Sequence, residues 1–204
     1  MPKHKTIIVG GIPCVGKTSI SGHLARKFNI DIMLSIDYTR EFFRAAVSGD
    51  KGYDVLNTSV YDAWKKFGER NKENIVKGYR EQGEILSKGI NALIERSSKN
   101  EESLIIETLY FIPEKLPGLK LPNVLPIYIQ VSDLERYKKM IMERIEFTHP
   151  GQPGDRLIPQ ADAYRFMAED ALEACKSNNI RVFDNLDYSK TREEITAFVA
   201  SEFK

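Results

Sequence analysis

One short segment, residues 7–20, restricts the fold more than any other part of the chain. It reads IIVGGIPCVGKTSI, a β-branched run followed by clustered glycines and then a helical pattern. β-branched residues are typical of buried strands, and glycine adopts backbone angles that other residues avoid. The order therefore predicts a strand, a tight turn with accessible amides, and a helix. Amides arranged in this way at a helix N-terminus bind phosphate oxygens.

The spacing from Gly11 to Thr18, G-x-x-x-x-G-K-T, matches the P-loop pattern. We predict that Lys17 reaches the terminal phosphates of ATP as a catalytic residue and that the Thr18 hydroxyl coordinates Mg²⁺. Cys14 occupies a position that the pattern leaves free, and its simplest interpretation is a small filler. The alternative for the whole motif is a structural glycine turn. The predicted nucleotide-binding residues in this segment are Gly11, Ile12, Pro13, Cys14, Val15, Gly16, Lys17, Thr18 and Ser19.

Composition narrows the class of protein. With 204 residues and 42% apolar content, residues 1–204 form one predicted domain with a full core. The 30 basic and 29 acidic residues leave a formal charge of +1, which argues against a nucleic-acid partner. No apolar run is long enough to span a membrane, and no signal peptide or lipidation pattern is found, so we expect a cytoplasmic protein. The two cysteines and three histidines form no metal-binding pattern.

Short apolar runs alternate with longer helical patterns, which predicts an α/β fold with a parallel sheet. A stretch at about 37–96 inserts several helical patterns between two strands and is interpreted as the acceptor-binding region. Ser132 to Glu135 read as a capping box that starts a helix ending near Arg144. A Pro- and Gly-rich segment at about 144–160 is predicted to be a lid, with a surface loop as the alternative. The predicted strands are Lys5–Gly10, Asp31–Ser35, Ser103–Glu107, Leu125–Val131 and Asn179–Phe183.

Two carboxylates follow predicted strands, at the edge where open α/β sheets bind ligands. Asp37 is predicted to orient or deprotonate the acceptor hydroxyl, and the alternative is an N-cap for a helix that begins near Tyr38. Glu107 is predicted to hold the magnesium shell or the acceptor. A solvated strand end is the alternative for Glu107.

Arginines supply the positive charge that phosphoryl transfer requires. We predict that Arg144 and Arg156 act from the lid as catalytic residues, and that Arg40 and Arg165 bind the acceptor. A solvated surface position is the alternative for each of these arginines. Asn185, directly after the last predicted strand, is predicted to frame the nucleotide base, with an ordinary turn as the alternative.

Several further segments resemble the archaeal 2-phosphoglycerate kinases, in the nucleotide-kinase-like branch of P-loop proteins. The resemblance covers nearly the whole chain and is carried by IIVGGIPCVGKTSI, SIDYTREFFR, LNTSVYDAW, KGYREQ, LIIE and VFDN. It implies a P-loop three-layer sandwich with a five-stranded parallel sheet in 2-3-1-4-5 order, flanked by helices. It also implies ATP as the donor and the 3-hydroxyl of 2-phosphoglycerate as the acceptor, which would give 2,3-bisphosphoglycerate.

The chain departs from that family in two places. Longer members carry an N-terminal nucleotide-sensing domain, whereas this sequence starts almost directly at its first predicted strand. We therefore expect no regulation of that kind. The family tends to have Gly-x-His after the acidic residue, whereas Glu107 is followed by Thr108, Leu109 and Tyr110. A neutral phenol at Tyr110 would hold an anionic acceptor differently from a histidine. The alternatives are a kinase of a nucleoside, nucleotide or sugar acid, and an ATP-binding regulatory protein with little turnover; the oligomeric state stays open.

Overall fold

The computed structural model describes residues 4–147 and 156–203, and for residues 144–147 it describes the backbone only. A parallel sheet with strand order β2-β3-β1-β4-β5 forms the centre of the fold. This confirms the predicted fold class and strand order. The strands are β1 (Thr6–Gly10), β2 (Ile32–Ser35), β3 (Leu104–Thr108), β4 (Val124–Gln130) and β5 (Arg181–Asp184).

Helices connect the strands and cover the sheet. Short 3₁₀ turns lie at Asp54–Asn57, Val60–Lys66, Pro113–Lys115, Pro117–Lys120 and Ile158–Gln160. Among the helices of the described residues, none combines the length and apolar character that crossing a bilayer requires. The α-helices are α1 (Lys17–Phe28), α2 (Ile36–Ala46), α3 (Lys72–Asn100), α4 (Leu134–Phe147), α5 (Ala161–Ser177) and α6 (Tyr188–Glu202).

The central strand β1 is buried along its whole length, as its run of Ile and Val predicts. It pairs with β3 on one side and β4 on the other, with Gly10 opposite Thr108 and opposite Tyr128. On the far side of β3, Ser35 of β2 lies opposite Glu107. All strands run in one direction, so their carboxyl ends meet at one edge of the sheet. The glycine segment after β1 lies at the middle of that edge.

At the opposite edge of the sheet, a residue with left-handed backbone angles follows each of three helices before the next strand begins. These are Asn29 with φ 52°, Glu101 with φ 56° and Asn179 with φ 54°. The last of them explains why β5 begins at Arg181, two residues later than predicted. Ile180 N still donates to Cys175 O at 2.9 Å, so this part of the chain closes α5 and is not yet strand.

The start of α4 differs from the prediction of a capping box. Asp133, and not Ser132, caps the helix, because its Oδ1 accepts from Arg136 N at 2.6 Å. The Ser132 amide donates to Asp184 Oδ1 at 2.9 Å, and the Ser132 hydroxyl donates to the other oxygen of the same carboxylate. Asp184 is the last residue of β5, which pairs with β4 but lies far from Ser132 in sequence, so the sequence alone could not reveal this competition for the serine.

Between β2 and β3 the chain forms α2, two 3₁₀ turns and the 29-residue helix α3. Gly78 of α3 lies directly against the second 3₁₀ turn. A Cβ at this position would lie 2.7 Å from the carbonyl carbon of Ala63 and 2.8 Å from Trp64 N. The backbone of the helix therefore packs directly against the backbone of the turn, with no room for a side chain at Gly78. The assignment of this region to the acceptor stays a prediction.

Candidate active site

The glycine segment between β1 and α1 folds as a loop that only glycine fits at two points. Gly11 has φ 154°, and a Cβ there would lie 2.6 Å from Ile129 O. Gly16 has φ 94°, and a Cβ there would lie 2.7 Å from Asn185 Nδ2. Cys14 has φ 65°, which is uncommon for a residue other than glycine. The backbone thus curves back on itself directly before the helix.

Helix α1 begins at Lys17, with Gly16 as its N-cap residue. Ile20 N donates to Gly16 O at 3.0 Å, so the amides before Ile20 have no carbonyl one turn earlier in the helix to bond. The helix dipole adds partial positive charge at this end. The loop and the first turn of α1 therefore form a backbone site for an anion.

Two side chains from this helix turn bring charge and a hydroxyl to the site. Lys17 Nζ donates to Ile12 O at 2.9 Å, which places the ammonium over the loop. Thr18 Oγ1 donates to Glu107 Oε1 at 3.2 Å. Two residues predicted to contribute to the metal site therefore meet, one from α1 and one from the end of β3.

Glu107 is only 8% exposed, and its Oε2 accepts no normal hydrogen bond from the described part of the chain. Burial raises the pKa of the Glu107 carboxyl above its ordinary value, and the negative charge of Asp37 raises it further. The charge of Lys17 and the hydroxyls of Thr18 and Ser35 lower it, but they do not reverse the increase.

The arrangement around Glu107 suits a metal ion. A carboxylate oxygen without a hydrogen bond, beside a threonine hydroxyl, fits a divalent cation that prefers oxygen ligands. Among the described side chains, no group of three or more acidic, His or Cys residues is placed to hold a metal ion by itself. Mg²⁺ does not require one, since phosphates and water complete its shell.

Asp37 lies in the first turn of α2, which begins directly after β2. Its side chain is exposed, and the pairing of Ser35 with Glu107 brings Asp37 to the same end of the sheet as Glu107, whose pKa its charge helps to raise. The alternative interpretation of Asp37 as an N-cap is wrong. The helix begins at Ile36, one residue before Asp37, and Ser35 occupies the cap position.

Asn185 is fully buried behind the phosphate loop. Its side-chain Nδ2 donates to Val15 O at 2.9 Å, and its backbone N–H donates to Gln130 O at 2.8 Å. The contacts that the structure gives this side chain are therefore with the main chain of the loop, and its role in framing the base stays a prediction.

Arg40 and Tyr110 are buried, and the structure shows both of them bonded to protein groups. Arg40 Nη2 donates to Leu56 O at 2.7 Å and to Thr58 O at 2.5 Å, while its Nη1 pairs with Glu41. The Tyr110 hydroxyl donates to Gln82 Oε1 at 2.9 Å. Burial raises the pKa of the Tyr110 phenol far above its ordinary value, so the phenol is neutral. Contact of either residue with an acceptor stays a prediction.

Sequence reasoning named Gln82 of α3 only as part of the KGYREQ segment and gave it no role in the site. The signal was present, since Gln82 is a polar residue on the apolar face marked by Tyr79 and Leu86. Arg156 and Arg165 are exposed, the side chain of Arg144 is not described, and residues 148–155 of the predicted lid lie outside the described residues.

A P-loop at the middle of a parallel sheet, with an acidic residue on the adjacent strand, is the arrangement with which P-loop proteins bind a nucleoside triphosphate. Solved structures support the same fold class. Shikimate kinase from Acinetobacter baumannii aligns with a TM-score of 0.56 and 13% identity, covering 100% of this chain and 97% of that one. Shikimate kinase from Bacteroides thetaiotaomicron gives a TM-score of 0.51 and 15% identity, covering 96% and 98%.

Sequence relatives identify the family. Mevalonate-3-phosphate 5-kinase from Thermoplasma acidophilum is 38% identical over 191 residues, 94% of this chain and 93% of that protein. The chain belongs to the archaeal P-loop kinase family that contains this enzyme, and it is an ATP-dependent small-molecule kinase. The 2-phosphoglycerate kinase of Methanopyrus kandleri is 24% identical over 96% of this chain, which spans 61% of the length of that protein. No protein-family model matches the chain.

Proposed function

We propose that this kinase transfers the γ-phosphoryl group of ATP to a hydroxyl of a small phosphorylated acid. The observation that carries the proposal is the meeting of Lys17, Thr18 and Glu107 at the phosphate loop, with Asp37 on the neighbouring element. The pairing of Ser35 with Glu107 explains this meeting, because it brings the start of α2 beside the end of β3. A donor phosphate and an acceptor hydroxyl can thus be held at one edge of the sheet.

Different residues of the chain have different roles in the proposed phosphoryl transfer. Loop amides and the Lys17 ammonium hold the phosphates and offset their charge. Glu107 and Thr18 would hold Mg²⁺, which supplies further charge neutralisation when bound. Asp37 accepts the hydroxyl proton while the acceptor oxygen forms a bond to the γ-phosphorus and the bond to the ADP oxygen breaks. Arg144 and Arg156 are proposed to approach the transferred group from the lid, and Arg40, Tyr110 and Arg165 to hold the acceptor.

The first acceptor to test is mevalonate 3-phosphate, which carries a carboxylate, a phosphate and a free 5-hydroxyl. The relative named for it is 38% identical to the chain, against 24% for the M. kandleri 2-phosphoglycerate kinase and 28% for that of Methanococcus maripaludis strain C6. The second is 2-phosphoglycerate, as the resemblance of the sequence motifs implies. Both are phosphorylated hydroxy acids, so the same site chemistry serves either.

The experiment is to measure ADP release from Mg·ATP with each acid, and with a nucleoside and a sugar acid as comparison acceptors. Stimulation by one phosphorylated acid and not by the others is expected. A regulatory ATP-binding protein would show no stimulation by any acceptor, which would contradict the proposal.

Two variants test the assigned roles. We expect Lys17→Ala to lower kcat at least about 100-fold, because one fixed positive charge on the transferred group is lost. We expect Asp37→Asn to lower kcat about 100-fold with little change in the KM for ATP, because only proton acceptance is removed. Normal turnover of the Asp37 variant would favour an acceptor whose attacking group is already an anion, such as the phosphate of a nucleoside monophosphate.

A further inference from the structure

We infer that Gln82 is a positioning residue for acceptor binding: with Tyr110 it fixes residues 55–58, and through them the guanidinium of Arg40. The inference rests on the proposed function, since it takes Arg40 as an acceptor contact. Gln82 itself touches neither the phosphate loop nor Glu107 through any hydrogen bond that the structure records for it.

The amide of Gln82 is completely buried and bonded on both sides. Its Nε2 donates to Val55 O at 2.6 Å and to Thr58 O at 3.1 Å. Its Oε1 accepts from the Tyr110 hydroxyl at 2.9 Å. One side chain of α3 therefore joins the segment after β3 to the 3₁₀ turn that follows α2.

The direction of these bonds follows from chemistry alone. Two backbone carbonyls offer only acceptors, so the amide nitrogen of Gln82 must face them. Its oxygen then faces Tyr110, and the Tyr110 hydroxyl must be the donor. The only hydroxyl proton of Tyr110 is thereby committed to Gln82. The Tyr110 hydroxyl proton is therefore not available to the acceptor.

Arg40 also forms hydrogen bonds with residues 55–58. Its Nη2 donates to Leu56 O and Thr58 O, so Thr58 O receives bonds from both Arg40 and Gln82. Arg40 is 9% exposed, and a buried guanidinium that loses its carbonyl partners pays a large desolvation cost. If residues 55–58 move, the guanidinium must follow them.

The two ends of this hydrogen-bond network lie close in sequence to residues of the proposed reaction, Glu107 at one end and Asp37 at the other. Tyr110 lies three residues after Glu107, and its amide donates to Thr108 Oγ1 at 2.9 Å. Arg40 lies one helical turn after Asp37 on α2. The buried bonds thus fix the distance between β3, which carries Glu107, and the helix that carries Asp37 and Arg40.

The test uses Gln82→Met, which keeps the length of the side chain and removes its hydrogen bonds, and Tyr110→Phe as the milder change. We expect Gln82→Met to raise the KM for mevalonate 3-phosphate, or for 2-phosphoglycerate if that acid is the one used, about tenfold. We expect Tyr110→Phe to raise it less. The KM for ATP should change by less than about twofold in both, because the loop contacts are untouched.

Ile90→Val is the matched control, since Ile90 is fully buried on the same helix and lies two turns beyond Gln82. It should lower Tm by about 2–4 °C without changing the KM for the acceptor. If Gln82→Met and Tyr110→Phe lower Tm yet leave the acceptor KM where the control leaves it, Gln82 is purely structural and the inference is wrong. A KM for ATP that rises as much as the acceptor KM would also overturn it. If neither acid stimulates the unchanged protein, the proposed function fails, and this inference fails with it.

Discussion

At the scale of single residues, Glu107 combines two conflicting requirements. A carboxylate must be ionised to hold a cation, yet burial at the end of β3 raises the pKa of this carboxyl. Lys17 and Thr18 offset part of that effect, and a cation bound at Oε2 would offset more. The apoprotein therefore bears a local cost in stability that ligand binding relieves, as is common where strained or buried charges serve function.

The first prediction concerns Glu107→Gln. The folded pKa lies above the unfolded value of 4.5, so the folded protein binds this proton more tightly. Stability from this group is greatest below the unfolded pKa and is lost as the pH rises through the folded pKa. Without nucleotide, Glu107→Gln should therefore have a higher Tm than the unchanged protein at about pH 8, and the difference should shrink towards about pH 4. Its kcat should fall about 100-fold.

Glu73→Gln is the control for this measurement. Glu73 is an exposed residue of α3 whose pKa is lowered, chiefly by its hydrogen bond with Lys77. Its replacement should not raise Tm at about pH 8, because the ionised form is the favoured one there. A Glu107→Gln protein that is less stable than the unchanged protein at both pH values would contradict the argument.

At the scale of elements, the contact between α3 and the 3₁₀ turn Val60–Lys66 depends on the missing side chain of Gly78. The turn's backbone occupies the space that a Cβ would need, at 2.7 Å from Ala63. The same helix carries Gly89 at an exposed position, where a Cβ would have no neighbouring atom within 4 Å. The two glycines therefore have opposite consequences for the same substitution.

The second prediction compares Gly78→Ala with Gly89→Ala. Gly78→Ala should lower the free energy of unfolding by about 1–3 kcal/mol, because α3 and the turn must separate. Gly89→Ala should raise it by about 0.5–1 kcal/mol, because alanine favours the helix and meets no neighbour. Urea unfolding of both variants measures the difference. Equal effects of the two substitutions would show that the close approach of α3 to the turn does not limit packing.

The elements also show what sequence reasoning can reach. Strand β1 and the phosphate loop were predictable because β-branched runs and glycine spacing are local signals. The acidic residues at strand ends followed from the rule that ligands bind at the carboxyl edge. The bond of Ser132 to Asp184 and the position of Asn185 behind the loop were not predictable, because each joins residues distant in sequence. For Gln82 the sequence showed a polar residue on an apolar helix face, but not the distant residues to which it bonds. Such contacts depend on packing, which leaves no periodic pattern.

At the scale of the whole molecule, the phosphate loop lies at the centre of the sheet and contacts both halves of the fold. Asn185 links it to β5, and Thr18 links α1 to β3. A ligand in the loop therefore stabilises contacts on both sides of β1. Binding to the folded state alone raises the free energy of unfolding of the entire domain.

The third prediction is a thermal shift with Mg·ATP. At a ligand concentration about 100 times the Kd, stabilisation by about 2.7 kcal/mol should raise Tm by about 5–10 °C. Lys17→Ala should lose most of this shift, whereas Arg165→Ala, an exposed change on α5, should keep it. A shift that is unchanged in Lys17→Ala would mean that the nucleotide binds elsewhere.

The turns at Asn29, Glu101 and Asn179 lie at the amino ends of their strands, on the far edge of the sheet from the phosphate loop. Nothing in the proposed reaction uses that edge. A dye or a solid support attached there would leave the opposite edge facing the solution. The protein is thus suited to tethering in a defined orientation, with its reacting side open to diffusing metabolites.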